Sequence, residues 1–459
     1  MCRFLSANCI SHAWAAVVCT VVAGSVLAAE AGPESHRRGA DWPRFLGPLG
    51  NSKSPETGIS TKWGPCGPPV VWQRKLGTSY GIGSVAGARF FQFDRYGGQA
   101  RLTCLDARNG EFLWKFEYAT DYEDRLGYNN GPRCSPVVDE DRVYLYGAEG
   151  VLHCVRTEDG KLLWKVDTFK KFGVVQNFFG VGSSPVVEGG VLIAVVGGSP
   201  QESHGAGRLE MDRVKGNGTG IVGFDKRTGE VKYAITDELA AYATPQLATV
   251  GGRRWCFVLA RGGLVGFDPL NGKVAFHYPW RSKLHDSVNA STPVVVGDEV
   301  FISEAYGPGS SLLRVKAAGY EVVWSDPPGR NKAMQCHWNT PIYHEGHLYG
   351  SSGRYSATAE LRCVEWKTGK VRWAEPGLGL SSLLYVDGHL VCLGEEGELR
   401  LIKATEKQYV EVARAVVRET PDAAPLIAPP AWAAPILAHG LLYVRGNDRL
   451  VCLRLVPGD

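Results

Sequence analysis

The sequence predicts an all-β chain, a single β-propeller of eight four-stranded antiparallel blades, and three observations carry that expectation. A strand-and-turn pattern recurs with a period close to that of a propeller blade, which is roughly 40–50 residues. The last copy of the pattern stops one strand short, and an orphan copy of the missing strand lies just upstream of the first complete repeat. The 57 glycines and 26 prolines, set among abundant Val, Tyr and Trp, suit many short strands punctuated by tight turns, while three methionines and few amphipathic runs leave little for helices.

The second copy displays the unit most fully. Ser135-Pro136-Val137-Val138 leads to Val143-Tyr144-Leu145, then to Leu152-His153-Cys154-Val155, and then to Asp159-Gly160-Lys161-Leu162-Leu163-Trp164. Four strands are thereby joined by three turns. The same signals mark copies at Ser84 to Trp114, Ser184 to Tyr233, Thr244 to Phe276, Thr292 to Trp324 and Thr340 to Trp373, with a degenerate copy from Ser382 to about Val412. The closing aromatics follow one another by 43 to 50 residues, except for one step of 69 between Trp164 and Tyr233. That longer step marks an insertion at 199–217, a polar stretch without apolar period. The final copy, from Ala434-Pro435-Ile436 to Leu450-Val451-Cys452-Leu453, lacks its Gly-turn-aromatic strand, and Gly67-Pro68-Pro69-Val70-Val71-Trp72 matches it. The N-terminal strand is therefore expected to close the ring in blade eight, which removes open sheet edges.

The small residue two places before the acidic position is Cys104, Gly223, Gly266 and Cys363 in successive copies, with Cys154 and Cys452 equivalent. These cysteines read as core fillers, too far apart on neighbouring blades to bridge. Arg3 followed by the apolar stretch 13–29, with small residues at Val26-Leu27-Ala28, reads as a cleavable export signal over 1–28, followed by an extension over 29–66 and the propeller over 67–459. Its removal takes away Cys2, Cys9 and Cys19 and leaves nine cysteines, an odd number that cannot all pair within one chain. A formal net charge of +3 without long basic runs lacks the electrostatic footprint of a nucleic-acid binder, and no later segment is apolar enough to span a bilayer. The expected product is a periplasmic or extracellular monomer.

The element Cys104-Leu105-Asp106-Ala107-Arg108-Asn109-Gly110-Glu111-Phe112-Leu113-Trp114 resembles the tryptophan-docking motif of pyrroloquinoline quinone (PQQ)-dependent alcohol dehydrogenases, and it recurs at 223–233, 266–276 and 363–373. The resemblance implies that Trp72, Trp114, Trp164, Tyr233, Phe276, Trp324 and Trp373 dock neighbouring blades, with Gly in the strained turn position. The same repeats build the BamB-type outer-membrane assembly factors, which are not enzymes. Asp41-Trp42-Pro43-Arg44-Phe45-Leu46-Gly47-Pro48, Gly131-Pro132-Arg133-Cys134-Ser135-Pro136 and Phe172-Gly173-Val174-Val175-Gln176-Asn177 are similar to segments of secreted planctomycete PQQ-like repeat proteins.

Candidate chemistry is sparse. A quinoprotein dehydrogenase implies a calcium held by side-chain oxygens, a catalytic Asp and often a vicinal Cys pair, and no Cys-Cys occurs in the sequence. Asp106, Asp225, Asp268 and Asp387 fall at turn positions that explain them structurally. His344-Glu345-Gly346-His347 lacks the helical spacing of a zinc-protease motif and reads as a hairpin turn. What remains is a polar and aromatic set in the segments that return from a blade's outer strand to the next inner strand: Asn130, Arg133, Asn177, Tyr242, His285, Asn289, His337, Trp338, Asn339 and Trp432. Such segments reach a propeller's channel mouth. The expectation is a non-catalytic binding or scaffold propeller that takes a protein or a small polar or anionic ligand there, Arg133 favouring anions. No cofactor or metal is expected; PQQ with calcium belongs to an alternative dehydrogenase reading, and a glycan-binding module is a further alternative.

Overall fold

In the computed structural model, which describes residues 39–285 and 287–458, the strands form eight separate four-stranded antiparallel sheets. Blades 1 to 7 occupy 84–119, 137–167, 186–235, 246–279, 294–325, 342–376 and 381–416, each sheet running in sequence order from inner to outer strand. Blade 8 takes three strands from 436–454 and its outermost strand, Val70–Lys75, from the start of the ring, with Trp72 opposite Cys452. The ring is thus closed by the N-terminal strand. The degenerate copy is a complete blade, Ser381–Val386 through Glu411–Val416. The expected signal at 1–28 lies outside the described residues, and among the described residues no helix is long and apolar enough to cross a membrane.

Burial follows the strand order. In blade 3 every residue of Val191–Val195 is buried, because a middle strand is covered on both faces by neighbouring blades. Outer strands alternate, as in Leu162–Asp167, where even the better-covered face is half-buried. The core is a series of layers between blades. In one of them Tyr144, Leu152 and Cys154 of blade 2 meet Leu192, Ala194 and Phe224 of blade 3.

The docking aromatics join these layers. Trp114 Nε1 donates to the Thr157 carbonyl of the next blade at 3.2 Å, and Trp72, Trp164, Trp324 and Trp373 donate likewise to Ala107, Lys226, Trp366 and Thr405. Tyr233 substitutes a hydroxyl, donating to the Pro269 carbonyl at 2.7 Å. At Trp72, Trp114, Trp164, Tyr233 and Trp324 the ring then lies on the turn glycine of that next blade, whereas the blade 7 turn that Trp373 meets has no glycine and places Tyr409 6.1 Å from the ring. Gly160 and Gly229 have φ of 72° and 76°, and a Cβ on either would stand 2.5 and 2.8 Å from the rings of Trp114 and Trp164, so both backbone conformation and space demand glycine. On its own blade the aromatic lies opposite a small residue in most copies: Cys104 faces Trp114, Cys154 faces Trp164, Gly223 faces Tyr233, Gly266 faces Phe276 and Cys363 faces Trp373, while Trp324 faces Leu312. The small residue is a footprint of the ring above it. Eight of the nine described cysteines are buried, none of the nine is bridged, and burial pushes the Cys104 and Cys363 thiols up to about 12, as expected of inert fillers.

Two joints depart from this pattern. Phe276 has no donor, and the turn it would meet in blade 5 is the short hairpin after Lys316; it packs against Tyr320 instead, at 5.3 Å. Blade 7 has Ala413 where the others have an aromatic, and the seam toward blade 8 is covered by Trp63 of the N-terminal extension.

That extension is an integral part of the ring, which its sequence did not reveal. Trp42 bridges the free edge of the innermost strand of blade 1 at Val85, and the Pro43 carbonyl accepts from Val138 of blade 2. Gln246 of blade 4 donates to the Leu49 carbonyl, Lys53 donates to the Tyr343 carbonyl of blade 6, and Ser52 and Ser54 pair with the backbone of Tyr385 in blade 7. Residues 42–54 therefore cross the channel and cap inner-strand edges on opposite sides of it. The 199–217 insertion is likewise docked. It contains two single turns of 3-10 helix, Gln201–Ser203 and Arg208–Glu210, and buries Met211 and Val214 against Phe178. The His344-Glu345-Gly346-His347 segment is a hairpin turn with positive φ at Glu345 and Gly346, and Asp106, Asp225 and Asp268 accept from turn amides. Asp387 does a second job, accepting from Gly58 of the extension.

Trp164→Ala is expected to cost about 3 kcal/mol, because it removes both the packing on Gly229 and the bond to Lys226, whereas Trp164→Phe should cost about 1 kcal/mol. Chemical denaturation of the two variants measures the difference. Deletion of 70–75 should leave blade 8 with an open edge and lower the melting temperature sharply or cause aggregation; unchanged melting would contradict closure by this strand.

Candidate functional site

In every blade two connections emerge on one face, the one between the second and third strands and the one leading to the next blade. On this face they surround a cup of about 510 Å³ in the mouth of the channel. Phe45, Leu46 and Ser52 of the crossing segment also line it and close it below. The wall is a chain of rings in successive contact. Tyr80 lies 4.8 Å from Trp432, Trp432 4.9 Å from Trp338, Trp338 5.1 Å from His337, and His337 5.5 Å from Tyr306. Both ends carry a guanidinium. Arg354 sits 4.4 Å over Tyr306, and Arg133 sits 5.5 Å from Tyr80 and 5.3 Å from Phe179, which continues the wall to Tyr242.

The residues expected at the mouth separate into two groups. Arg133, Tyr242, His337, Trp338, Asn339 and Trp432 line the cup. Asn130, Asn177, His285 and Asn289 do not; they hold its loops. Asn130 Oδ1 accepts from Asp124 N, Asn177 Nδ2 reaches the Ala240 carbonyl, and Asn289 Nδ2 donates to the Ala260 carbonyl at 2.7 Å. His285 bonds Asp212 of the insertion at 3.0 Å, and Asp212 also pairs with Arg261 and Arg281. Through this carboxylate the insertion fastens the loops that support Phe178.

Arg133 is not the open anion receptor its sequence position suggests. Its Nη2 donates to Asp124 at 2.7 Å, its Nη1 to the Phe179 carbonyl at 3.1 Å, and its side chain is 11% exposed. Asp124 is itself shielded and also accepts from the Leu126 and Asn129 amides. The pair braces the loop between blades 1 and 2, so truncating Arg133 strands a buried carboxylate instead of leaving stability untouched. Tyr242 is similarly engaged, its hydroxyl accepting from Phe179 N. His337 Nε2 shares a hydrogen bond with the Tyr306 hydroxyl at 2.9 Å, and burial, with Arg354 nearby, pushes the imidazole down to about 4, so it is neutral at neutral pH.

Tyr306, Arg354, Tyr355 and Glu395, all of which line the cup, come from the connections between second and third strands, which the sequence reading did not search. Their signal was the aromatic and charged residues those connections carry, Tyr306, Arg354-Tyr355 and Glu395-Glu396. Glu395 accepts from Trp432 Nε1 at 3.2 Å and is the cup's one lining carboxylate. Calcium binding takes several oxygen ligands, usually including more than one carboxylate. Among the described residues no group of three or more His, Cys, Asp or Glu side chains is placed to hold a metal ion. The cup's donor set therefore does not fit a calcium-held quinone with a separate catalytic carboxylate.

Glu304, two residues before Tyr306, is 1% exposed, and neither carboxyl oxygen has a hydrogen bond of good geometry. Burial pushes its carboxyl up to about 8, against the pull of the Tyr306 backbone and of Arg354 and Lys332. The folded state thus keeps a proton that the unfolded chain loses, and this group's contribution to stability falls as pH rises from the ordinary 4.5 toward about 8. Melting of Glu304→Gln across that range should decline less steeply than that of the parent protein; parallel curves would mean that Glu304 ionises in the folded state.

None of the curated proteins matches the chain in sequence. Among solved structures it is similar to the quinohemoprotein alcohol dehydrogenase of Comamonas testosteroni, with a TM-score of 0.63 and 12% identity over 91% of this chain and 81% of that one. It is also similar to BamB of Moraxella catarrhalis, with a TM-score of 0.52 and 13% identity over 85% of this chain and 98% of that one. A computationally designed protein, Ika8, matches at a TM-score of 0.52 and 9% identity over 84% of this chain and 98% of its own. At such identities these likenesses concern the fold alone. Residues 98–375, more than half of the sequence, match the model of the family described as outer membrane protein assembly factor BamB, and the chain belongs to that family.

Proposed function

We propose that this protein is an exported, non-catalytic binding propeller that engages its ligand in the cup. The observation that carries the reading is the cup itself: a concave aromatic wall, closed below by the chain's own N-terminal segment, with polar groups at its ring edges. Sites of this size, within roughly 300–1,000 Å³, and this mixed lining are the usual form of small-molecule pockets. The face around it also exposes Tyr128, Leu209, Leu284 and Tyr355, at 62, 76, 45 and 62%, an apolar rim suited to a partner that covers the mouth. The family description, an assembly factor, agrees with binding as the task.

A PQQ-dependent dehydrogenase is the second reading, favoured by the likeness to the Comamonas testosteroni enzyme and opposed by the donor set of the cup. A thermal-shift screen of the intact protein against small polar and anionic compounds, PQQ with calcium among them, separates the two. A stabilising compound is expected, its effect lost in Trp338→Ala, with no reduction of an artificial electron acceptor on adding alcohols or sugars. Stoichiometric PQQ uptake accompanied by dye-linked oxidation would replace the binding reading with the dehydrogenase.

A further inference from the structure

We propose that the occupant of the cup is the end of a saccharide chain, one ring face lying on the arc that runs from Tyr80 to Tyr306. The inference rests on the cup being a binding site and names the chemistry it selects. The arc sets five rings in succession, Tyr80, Trp432, Trp338, His337 and Tyr306, with neighbouring centroids 4.8 to 5.5 Å apart and planes inclined 45 to 62° to one another. A wall of this kind matches a ligand with a flat C–H face. The edges of the wall carry both donors and acceptors, the Arg354 guanidinium, the Glu395 carboxylate and the Tyr306–His337 pair, and a guanidinium or a carboxylate offers more hydrogen-bonding positions than a single partner fills. Sugar hydroxyls, each a donor and an acceptor, satisfy both kinds.

Charge narrows the choice further. A cation would meet the guanidinium groups of Arg133 and Arg354, which already lie over rings at the two ends of the arc, so the π surface is not a cage for ammonium groups. A multiply charged anion would meet Glu395, and the balancing charge of Arg133 is engaged by Asp124. A ligand of low net charge and many hydroxyls is what remains. The floor of Phe45, Leu46 and Ser52 stops a chain from threading through the ring, so a polymer enters by its end. Tyr355, 62% exposed beside Arg354, extends the platform outward to a following sugar unit.

Titration calorimetry of the intact protein with cellobiose, maltose and diacetylchitobiose tests this, with tryptophan fluorescence recorded on the same samples. At least one probe is expected to bind and to shift the emission of the Trp338–Trp432 pair. Trp338→Ala should weaken that probe about tenfold or more, as loss of a central aromatic contact does. Tyr355→Ala, at an exposed rim position where folding is not at stake, should weaken it several-fold. Absence of binding by every probe overturns the saccharide assignment, as does binding undiminished in both variants. If the probes fail while a compound of another class still binds in a Trp338-dependent way, the saccharide falls and the binding reading stands; failure of both removes both.

Discussion

The structure depends on one contact made again and again between neighbouring blades: an aromatic ring from the outer strand of one blade with its N–H or O–H held by a turn carbonyl of the next, resting at five of these six joints on the turn glycine there. The contact combines apolar area with a directed bond, so it fixes both the distance and the rotation between sheets. Its demands propagate inward. At most joints a small residue opposite the ring, a left-handed glycine and a turn carboxylate seat it, and together they make up most of the repeat. Where the ring is missing, at Ala413, a side chain from a distant part of the sequence, Trp63, packs on the exposed seam.

A ring held this way points its connections at its own axis, and the cup follows from that geometry. Segments that share no sequence pattern, such as the loops around Tyr80, His337 and Trp432, become neighbours because each follows a docked strand. The supporting residues are as specific as the lining ones: Asp124 holds Arg133, and Asp212 ties Arg261, Arg281 and His285 together beneath the insertion. A wall braced by ion pairs and loop-holding amides is held in shape by its own contacts, which lowers the ordering cost of binding.

The blades were legible because their determinants are local. Ser135 to Trp164 contains a whole sheet, and the count of eight came from matching a truncated end to an orphan strand. The channel crossing was not legible, because its partners, such as Lys53 with Tyr343, are separated by 290 residues and meet through backbone atoms that carry no residue signature. Arg133 was placed correctly on the wall but misjudged in charge, since Asp124, nine residues earlier, reads as one more loop acid until the loop is folded. Tyr306, Arg354 and Glu395 lie in connections between second and third strands, where the repeat pattern predicts turns and gives no sign that they face the channel.

The crossing segment also constrains how such a chain comes to be folded. Asp41 meets His439 and Glu56 meets Gly440, contacts that join the beginning of the ring to blade 8 across 398 and 384 positions. A chain that emerges from its N-terminus makes this segment and the Val70–Lys75 strand first, but the segment completes its contacts only as the later blades form, and the strand has no partner until blade 8 exists. Long-range pairing of this kind is slow, and the strands that wait for it are exposed meanwhile. Folding therefore ends where the sequence began, and an incomplete chain lacks the partners that would bury its first strand.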